Sequence, residues 1–193
     1  MSPQDKDTLK EQILTNAVEI ISSEGLQAFS VRNLAERSGY SYPMLYRVFK
    51  DQKDLLQHVM LRFRNRVTSA IESELTHIDP IENIQRITGE YCDFFIQYPN
   101  IFHLLYQDKS QGIFRHDDDK HNYYAIIKEL MADSWRVLSE NKAWAQAISE
   151  QRFAQLDYLI HGALLLHLDN KLSRNYSYLK DDLQNAISQL LQN

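Results

Sequence analysis

Apolar residues recur along most of the chain at intervals of three and four, the spacing that stacks side chains on one face of an α-helix. Leu9, Ile13, Ala17, Ile20 and Ile21 form such a face from about Thr8 to Glu24, and Gly25 closes it as a C-cap. Leu26 and Phe29 would fill the corner that follows. Val31, Leu34 and Ala35 make a second, shorter face behind Ser30, a candidate N-cap, and Ser38-Gly39 stops it. Ser41 is the next candidate N-cap, with Pro43 inside the first turn of a helix starting at about Tyr42. Leu45 and Phe49 share a face there that can pack back on Val31, Leu34 and Ala35. Two short helices crossing over a glycine-containing turn predict a helix-turn-helix.

A long helix follows from about Lys53, carrying Leu55, Leu56, Val59, Met60, Phe63, Val67, Ala70, Ile71 and Leu75, until Asp79-Pro80 breaks it. No flexible linker is visible, so this helix is expected to close one domain and enter the next. The second domain is expected to begin near Ile81, with a helix ending at Pro99 and a short buried helix from Asn100 to Asp108. Gln111 to His121 reads as the least regular stretch, with helices from about Asn122 to Glu140, Ala143 to Asp169 and Tyr178 to Leu191 after it. Glycine and proline are scarce, 5 and 4 of 193 residues, which supports an all-α fold throughout.

The exposed side of the second short helix would enter a DNA major groove. Tyr42, Pro43 and Met44 lie where they could reach base edges, the latter two only by apolar contact such as a thymine methyl. Arg47, one turn on, could reach a guanine or a phosphate. Ser30, Arg32, Tyr46, Lys50, Gln52 and Lys53 are better placed for phosphate oxygens, and the helix start near Lys53 offers backbone N–H groups too. The net charge of −5 argues against nucleic acid only if it is evenly spread. From Ala28 to Arg66 eight Lys/Arg stand against three acids, a local basic face of the kind phosphates require.

At these residues the chain resembles the TetR family of transcriptional regulators. The family pattern, a helical hairpin ending in Gly, one residue and Ser, then Leu-Tyr followed shortly by Phe, is met by Gly39, Ser41, Leu45, Tyr46 and Phe49. The preceding ILTNAVEIISSEGLQAFSVRNLAERSG is similar to the family's first two helices. The resemblance covers the first quarter to third of the chain. Val48 stands where His is frequent in the family, Met44 where Thr is, and Gln52 where a Lys usually precedes the long helix. The resemblance implies an N-terminal three-helix DNA-binding domain, residues 1–52, and a larger helical ligand-binding and dimerisation domain, residues 53–193. It implies a homodimeric repressor on a palindromic double-stranded DNA operator, an inverted repeat, released by a small-molecule effector.

For the effector, Tyr91, Phe95, Tyr98, Phe102, His103, Tyr106, Tyr123, Tyr124, Trp135 and His161 are the candidate lining residues. Aromatic rings with a few polar groups suit an aromatic or amphipathic molecule, although rings at helical spacing also serve as core. The last two helices carry more apolar residues than one buried face requires, which suggests a four-helix seam between two chains. The candidate interface is Phe153, Leu156, Ile160, Ala163, Leu164, His167, Leu179, Leu183, Ile187 and Leu190. His116, Asp117, Asp118, Asp119 and His121 match no closed zinc spacing, so no metal and no other cofactor is expected. Cys92, the only cysteine, excludes an internal disulfide and reads as a small buried hydrophobe.

Motifs of catalysis are absent: no nucleophile elbow, phosphate loop, dinucleotide fingerprint or zinc-protease signature occurs. The expectation is a regulator that is not an enzyme. No apolar run is long enough for a bilayer and the N-terminus lacks a signal core, so no membrane is involved and a cytoplasmic location is expected. The competing class is a helical adaptor that keeps the fold and recruits a protein. An enzyme working through His103 or His161 is a further alternative that nothing in the sequence demands.

Overall fold

The structure, a computed structural model, describes residues 2–72, 79–106, 125–171 and 175–192. Among them every regular element is helical. They divide into two compact units: residues 2–66 with 98–106, and residues 67–72 and 79–97 with 125–171 and 175–192.

The first unit opens with α1 (Pro3–Glu24), which starts five residues before the predicted Thr8. The cause is a capping box: Ser2 Oγ accepts from the Asp5 N–H at 3.1 Å, and Asp5 Oδ2 accepts from the Ser2 N–H at 2.8 Å. Those same bonds, the one from the Ser2 backbone first, hold the Asp5 carboxyl below its ordinary pKa. Gly25 ends the helix at φ +83° and ψ 172°, a region open only to glycine. A 3-10 turn, Leu26–Ala28, leads to α2 (Val31–Ser38), α3 (Tyr42–Leu45) and α4 (Gln52–Glu72). Ile13, Ala17, Ile20 and Ile21 of α1 meet Leu34, Leu45 and Phe49, with Leu55, Leu56, Val59 and Phe63 of α4, in a core in which each is no more than 2 % exposed.

Residues 98–106 belong to this unit, where the sequence reading put them in the second domain. Pro99 opens α6 (Pro99–Tyr106), preceded in the chain by α5 (Pro80–Gln97), and α6 packs on α1. Asn100 Nδ2 donates to the Ser22 carbonyl at 3.0 Å, and Ile101, Phe102, Leu104 and Leu105 are buried. A strongly apolar eight-residue helix reads the same in either domain from sequence, because periodicity says that a face is buried and not against what.

In the second unit α5 packs against α7 (Ile126–Asn141), α8 (Gln146–Leu168) and α9 (Tyr176–Gln192), and α8 packs on α9. Its core comprises Ile84, Ile87, Tyr91 and Phe95, with Ile127, Met131 and Leu138, Leu156, Ile160 and Leu164, and Ile187 and Leu191. The turn before α8 places Ala143 at φ +51°, so the helix predicted from Ala143 begins at Gln146 instead.

Candidate nucleic-acid interface

Ser30 and Gly39 frame α2 as predicted. Ser30 Oγ accepts from the Asn33 N–H at 3.0 Å, and Gly39 takes the left-handed conformation, φ +69° and ψ 17°, that reverses the chain. Asn33 Nδ2 in turn donates to the Ala28 carbonyl at 2.9 Å and fixes the entry to the helix. Ser41 stands at the cap of α3 but makes no side-chain cap hydrogen bond, which leaves its exposed hydroxyl unengaged by that role. The predicted second helix is short: after Leu45 the chain tightens, with Arg47 N–H to Met44 O and Val48 N–H to Leu45 O, both at 3.2 Å. Leu45 and Phe49, 1 % and 2 % exposed, still anchor it from beneath.

What this anchoring turns outward is the predicted recognition set. Tyr42, Pro43, Tyr46 and Arg47 are exposed and Met44 is half-buried. Tyr42 and Tyr46, one turn apart, join hydroxyls at 3.1 Å with ring centroids 5.1 Å apart. The Tyr46 phenol is raised above its ordinary pKa, by that hydrogen bond first, then by burial and by Tyr42 and Asp51, so it remains a proton donor.

The basic residues sort into two groups by partner. Arg37 is held bidentate by Glu24, at 2.5 and 3.0 Å, Arg62 is paired with Glu11, and Lys10 Nζ lies 2.7 Å from His58 Nε2. Arg32 pairs with Glu36 at 3.1 Å, but with side chains 86 % and 66 % exposed the pair is weak. Arg47, Lys50 and Lys53 are exposed, and among the described residues their side-chain nitrogens have no partner. Gln52 is half-buried at the start of α4.

The amino end of α4 is partly capped by side chains. Asp51 Oδ1 accepts from the Asp54 N–H at 2.8 Å, and Asp54 Oδ2 accepts from the Lys50 N–H at 2.8 Å. Two carboxylates therefore stand at that end, and of the first-turn amides one, that of Asp54, is taken by a side chain. The spacing Asp51-Gln52-Lys53-Asp54 is a capping signal that the sequence reading passed over.

The effector candidates fall into separate groups. In the first unit Phe102 stacks near Tyr106, centroids 5.0 Å apart, His103 is half-buried, and Arg66 lies 5.3 Å over the Tyr98 ring. In the second, Tyr91 meets Phe95 at 4.8 Å and hydrogen-bonds His161 Nε2 at 3.0 Å, while Trp135 packs on Phe153 at 5.0 Å. Tyr123 and Tyr124, and His116 to His121, lie outside the described residues. Between α5, α8 and α9 is a cavity of about 10 Å³, lined in part by Thr88, Cys92, Tyr176 and Lys180, room for one water and not for an effector. Among the described residues no three His, Cys, Asp or Glu side chains cluster to hold a metal, and no helix is long and apolar enough to cross a membrane.

Of the interface candidates, Leu156, Ile160, Leu164, Leu183 and Ile187 are buried by the chain itself, so they cannot form a seam without unpacking it. Phe153, Ala163, His167, Leu179 and Leu190 are half-buried. The apolar side chains left in solvent are others: Ile148, Tyr158, Leu159, Leu165 and Leu166 on α8, and Tyr178 on α9. A helix apolar all round does not reveal from sequence which side faces its own core.

Residues 13–59 match the sequence model of a family described as bacterial regulatory proteins, tetR family. No curated protein matches the chain. Among solved structures, a TetR-family transcriptional regulator from Haemophilus influenzae RD is 20 % identical, with a TM-score of 0.62 over 96 % of this chain and 97 % of that one. A TetR-family regulator from Streptomyces coelicolor is 16 % identical, with a TM-score of 0.68 over 98 % and 82 %. A TetR regulator from Rhodococcus sp. RHA1 is also 16 % identical, with a TM-score of 0.66 over 97 % and 98 %. The helix-turn-helix built on Ser30, Gly39, Leu45 and Phe49 thus lies in a segment that matches the tetR-family sequence model, carried on a chain with the fold of solved TetR-family transcriptional regulators.

Proposed function

We propose that the chain is a one-component transcriptional repressor that binds an inverted-repeat operator as a homodimer and leaves it when a small molecule binds the helical region after residue 53. The observation that carries this reading is the coincidence of unpartnered cations with the recognition surface. Arg47, Lys50 and Lys53 flank the exposed Tyr42, Pro43 and Tyr46, while Arg37 and Arg62 are neutralised by acids. Pro43 and Met44 supply apolar contact to bases, Arg47 a bidentate donor suited to guanine, and Lys50, Lys53, Tyr46 and Ser30 bonds to phosphate. Arg32 joins them by exchanging Glu36 for a phosphate.

Two copies joined through Tyr158, Leu159 and Leu166 of α8 would present two such surfaces to successive major grooves. The effector, aromatic or amphipathic in class, acts only if it binds the DNA-fitting and the released states with different affinity. The continuous helix α4, which begins beside the recognition turn and ends at Glu72, is the element whose displacement would carry that difference. Such a protein works in the compartment that holds the DNA, the cytoplasm.

Selection of duplexes from a random pool at moderate salt, with mass measured in parallel by light scattering, tests the reading. An enriched inverted repeat bound by a dimer is the expected result. Failure to enrich any sequence, with only weak salt-dependent binding, refutes it in favour of an interaction protein.

A further inference from the structure

His58 is not among the residues that either the helix-turn-helix pattern or the basic surface brings forward. It nonetheless occupies the junction between α1, the end of the recognition segment and α4. Its Nδ1 lies 2.8 Å from the Asp54 carbonyl oxygen, so Nδ1 carries the proton and donates. Its Nε2 lies 2.7 Å from Lys10 Nζ, an ammonium with no lone pair, so Nε2 must accept. Both bonds hold together only on a neutral imidazole.

The ring reaches the DNA-facing loop by two routes. Asp54 Oδ1 lies 3.4 Å from His58 Nδ1, while Oδ2 of the same carboxylate accepts the Lys50 N–H at 2.8 Å. Phe49, the buried anchor before Lys50, has its ring 5.6 Å from the His58 ring and 5.6 Å from the Lys10 ammonium. The charged groups facing the imidazole are therefore Lys10 from α1 and Asp54 from α4; the recognition segment presents only the Phe49 ring. Of the neighbouring charges, Glu11 of α1 and Arg62 of α4 are paired with each other, and Lys6 and Asp7 lie one turn before Lys10 on α1.

We propose that His58 is a positioning residue for the DNA-contacting loop: as a neutral imidazole it ties Lys10 of α1, through Asp54, to the peptide of Lys50. Protonation places an Nε2–H donor against the Lys10 ammonium, two like charges at hydrogen-bond distance, and expels Lys10. The imidazolium is then drawn to the Asp54 carboxylate, in competition with the Lys50 N–H. The loop that holds Lys50 and Lys53 loses its tie to α1, and operator affinity falls on acidification. Charge alone would do the opposite, since a proton gained beside DNA strengthens binding.

The inference rests on the regulator reading, and its test separates the two. Operator from the selection is titrated at fixed ionic strength from about pH 8 to about pH 5.5, with wild type, His58→Gln and Lys10→Met. Wild-type affinity is expected to drop about threefold more over that range than the affinity of either variant. Identical pH profiles for wild type and His58→Gln, or wild-type affinity that rises on acidification, overturn the proposal. Should a variant fail to fold, nitrogen-15 spectra of the wild type decide: protonated Nδ1 and bare Nε2 at about pH 8, with the Lys50 amide resonance following the imidazole titration, are expected. An Nε2–H tautomer, or a Lys50 amide that does not move, overturns it. Absence of operator binding at every pH removes the regulator reading instead, and the spectra alone then judge the linkage.

Discussion

Replacing Lys50 and Lys53 together by Gln removes two exposed, unpartnered charges and keeps most of each aliphatic stem. Among the described residues neither ammonium has a hydrogen-bond or ion-pair partner, so the variant should melt within about 0.5 kcal/mol of wild type. Its effect belongs to DNA binding. Each phosphate neutralised contributes about 0.9 to the slope of log affinity against log salt. A dimer would lose four such contacts, and the slope should flatten by about 3.6. Between about 50 and 200 mM salt, wild type would then lose about a hundredfold more affinity than the variant. Fluorescence anisotropy on a labelled operator across that range measures both slopes. Arg37→Gln is the control, because Arg37 is engaged by both oxygens of Glu24 and should leave the slope as it is. An unchanged slope in the double variant, or an equal flattening in Arg37→Gln, would refute the assignment of phosphate contacts by free charge.

Arg47→Ala should relax sequence preference at one position of each half-site by about 1–3 kcal/mol and leave helicity intact, as a repeat of the selection would show. Gly25→Ala should cost about 2 kcal/mol in denaturant unfolding, because φ +83° with ψ 172° excludes a side chain and the new Cβ would meet Asn100 Oδ1 at 3.3 Å; Gly39→Asn, in an open left-handed turn, should cost well under about 1 kcal/mol. Leu159→Glu with Leu166→Glu, at sites 37 % and 42 % exposed, should yield a folded monomer by sedimentation equilibrium. Burial pushes the Cys92 thiol up to about 12, with Asp93 adding to the rise and Lys180 opposing it, so thiol reagents at neutral pH should react only as the chain unfolds. The folded state then holds that proton more tightly than the unfolded chain, whose thiol ionises near 9, so stability is unaffected below about pH 9 and declines as pH rises toward 12. Melts of wild type against Cys92→Ala over that range measure the decline.

The helix-turn-helix was legible because its grammar is local. Ser30, Gly39, Pro43 and the pair Leu45 and Phe49 act on neighbours within a turn or two, and each takes the conformation its chemistry dictates. Local signals were also present where the reading fell short: Ser2-Pro3-Gln4-Asp5 writes the start of α1, and Asp51 to Asp54 writes the cap of α4. The packing of α6 on α1 was not legible, since Ile101, Phe102, Leu104 and Leu105 would be equally content in any apolar layer. In α8 the ambiguity is sharper. Leu156, Ile160 and Leu164 face the core while Leu159, Leu165 and Leu166 do not, and no difference in residue type separates them.

Charge shows the same divide between local and distant information, with a functional consequence. The sequence reveals eight basic residues against three acids between Ala28 and Arg66, but not which of them DNA could use. Arg37 is bound by Glu24 and Arg62 by Glu11, acids of α1 that lie outside that window and meet their partners only after folding. Those pairs link α1 to α2 and α4 and leave each cation with an acid beside it. Among the described residues Arg47, Lys50 and Lys53 have no acidic partner, and Asp51 and Asp54 accept the backbone N–H groups of Asp54 and Lys50. The fold thus concentrates a diffuse positive balance onto the edge of the recognition segment. On the proposed reading, a chain of net charge −5 would meet phosphates at this one place, and approach would be favoured in the orientation that brings Tyr42, Pro43 and Arg47 to the groove.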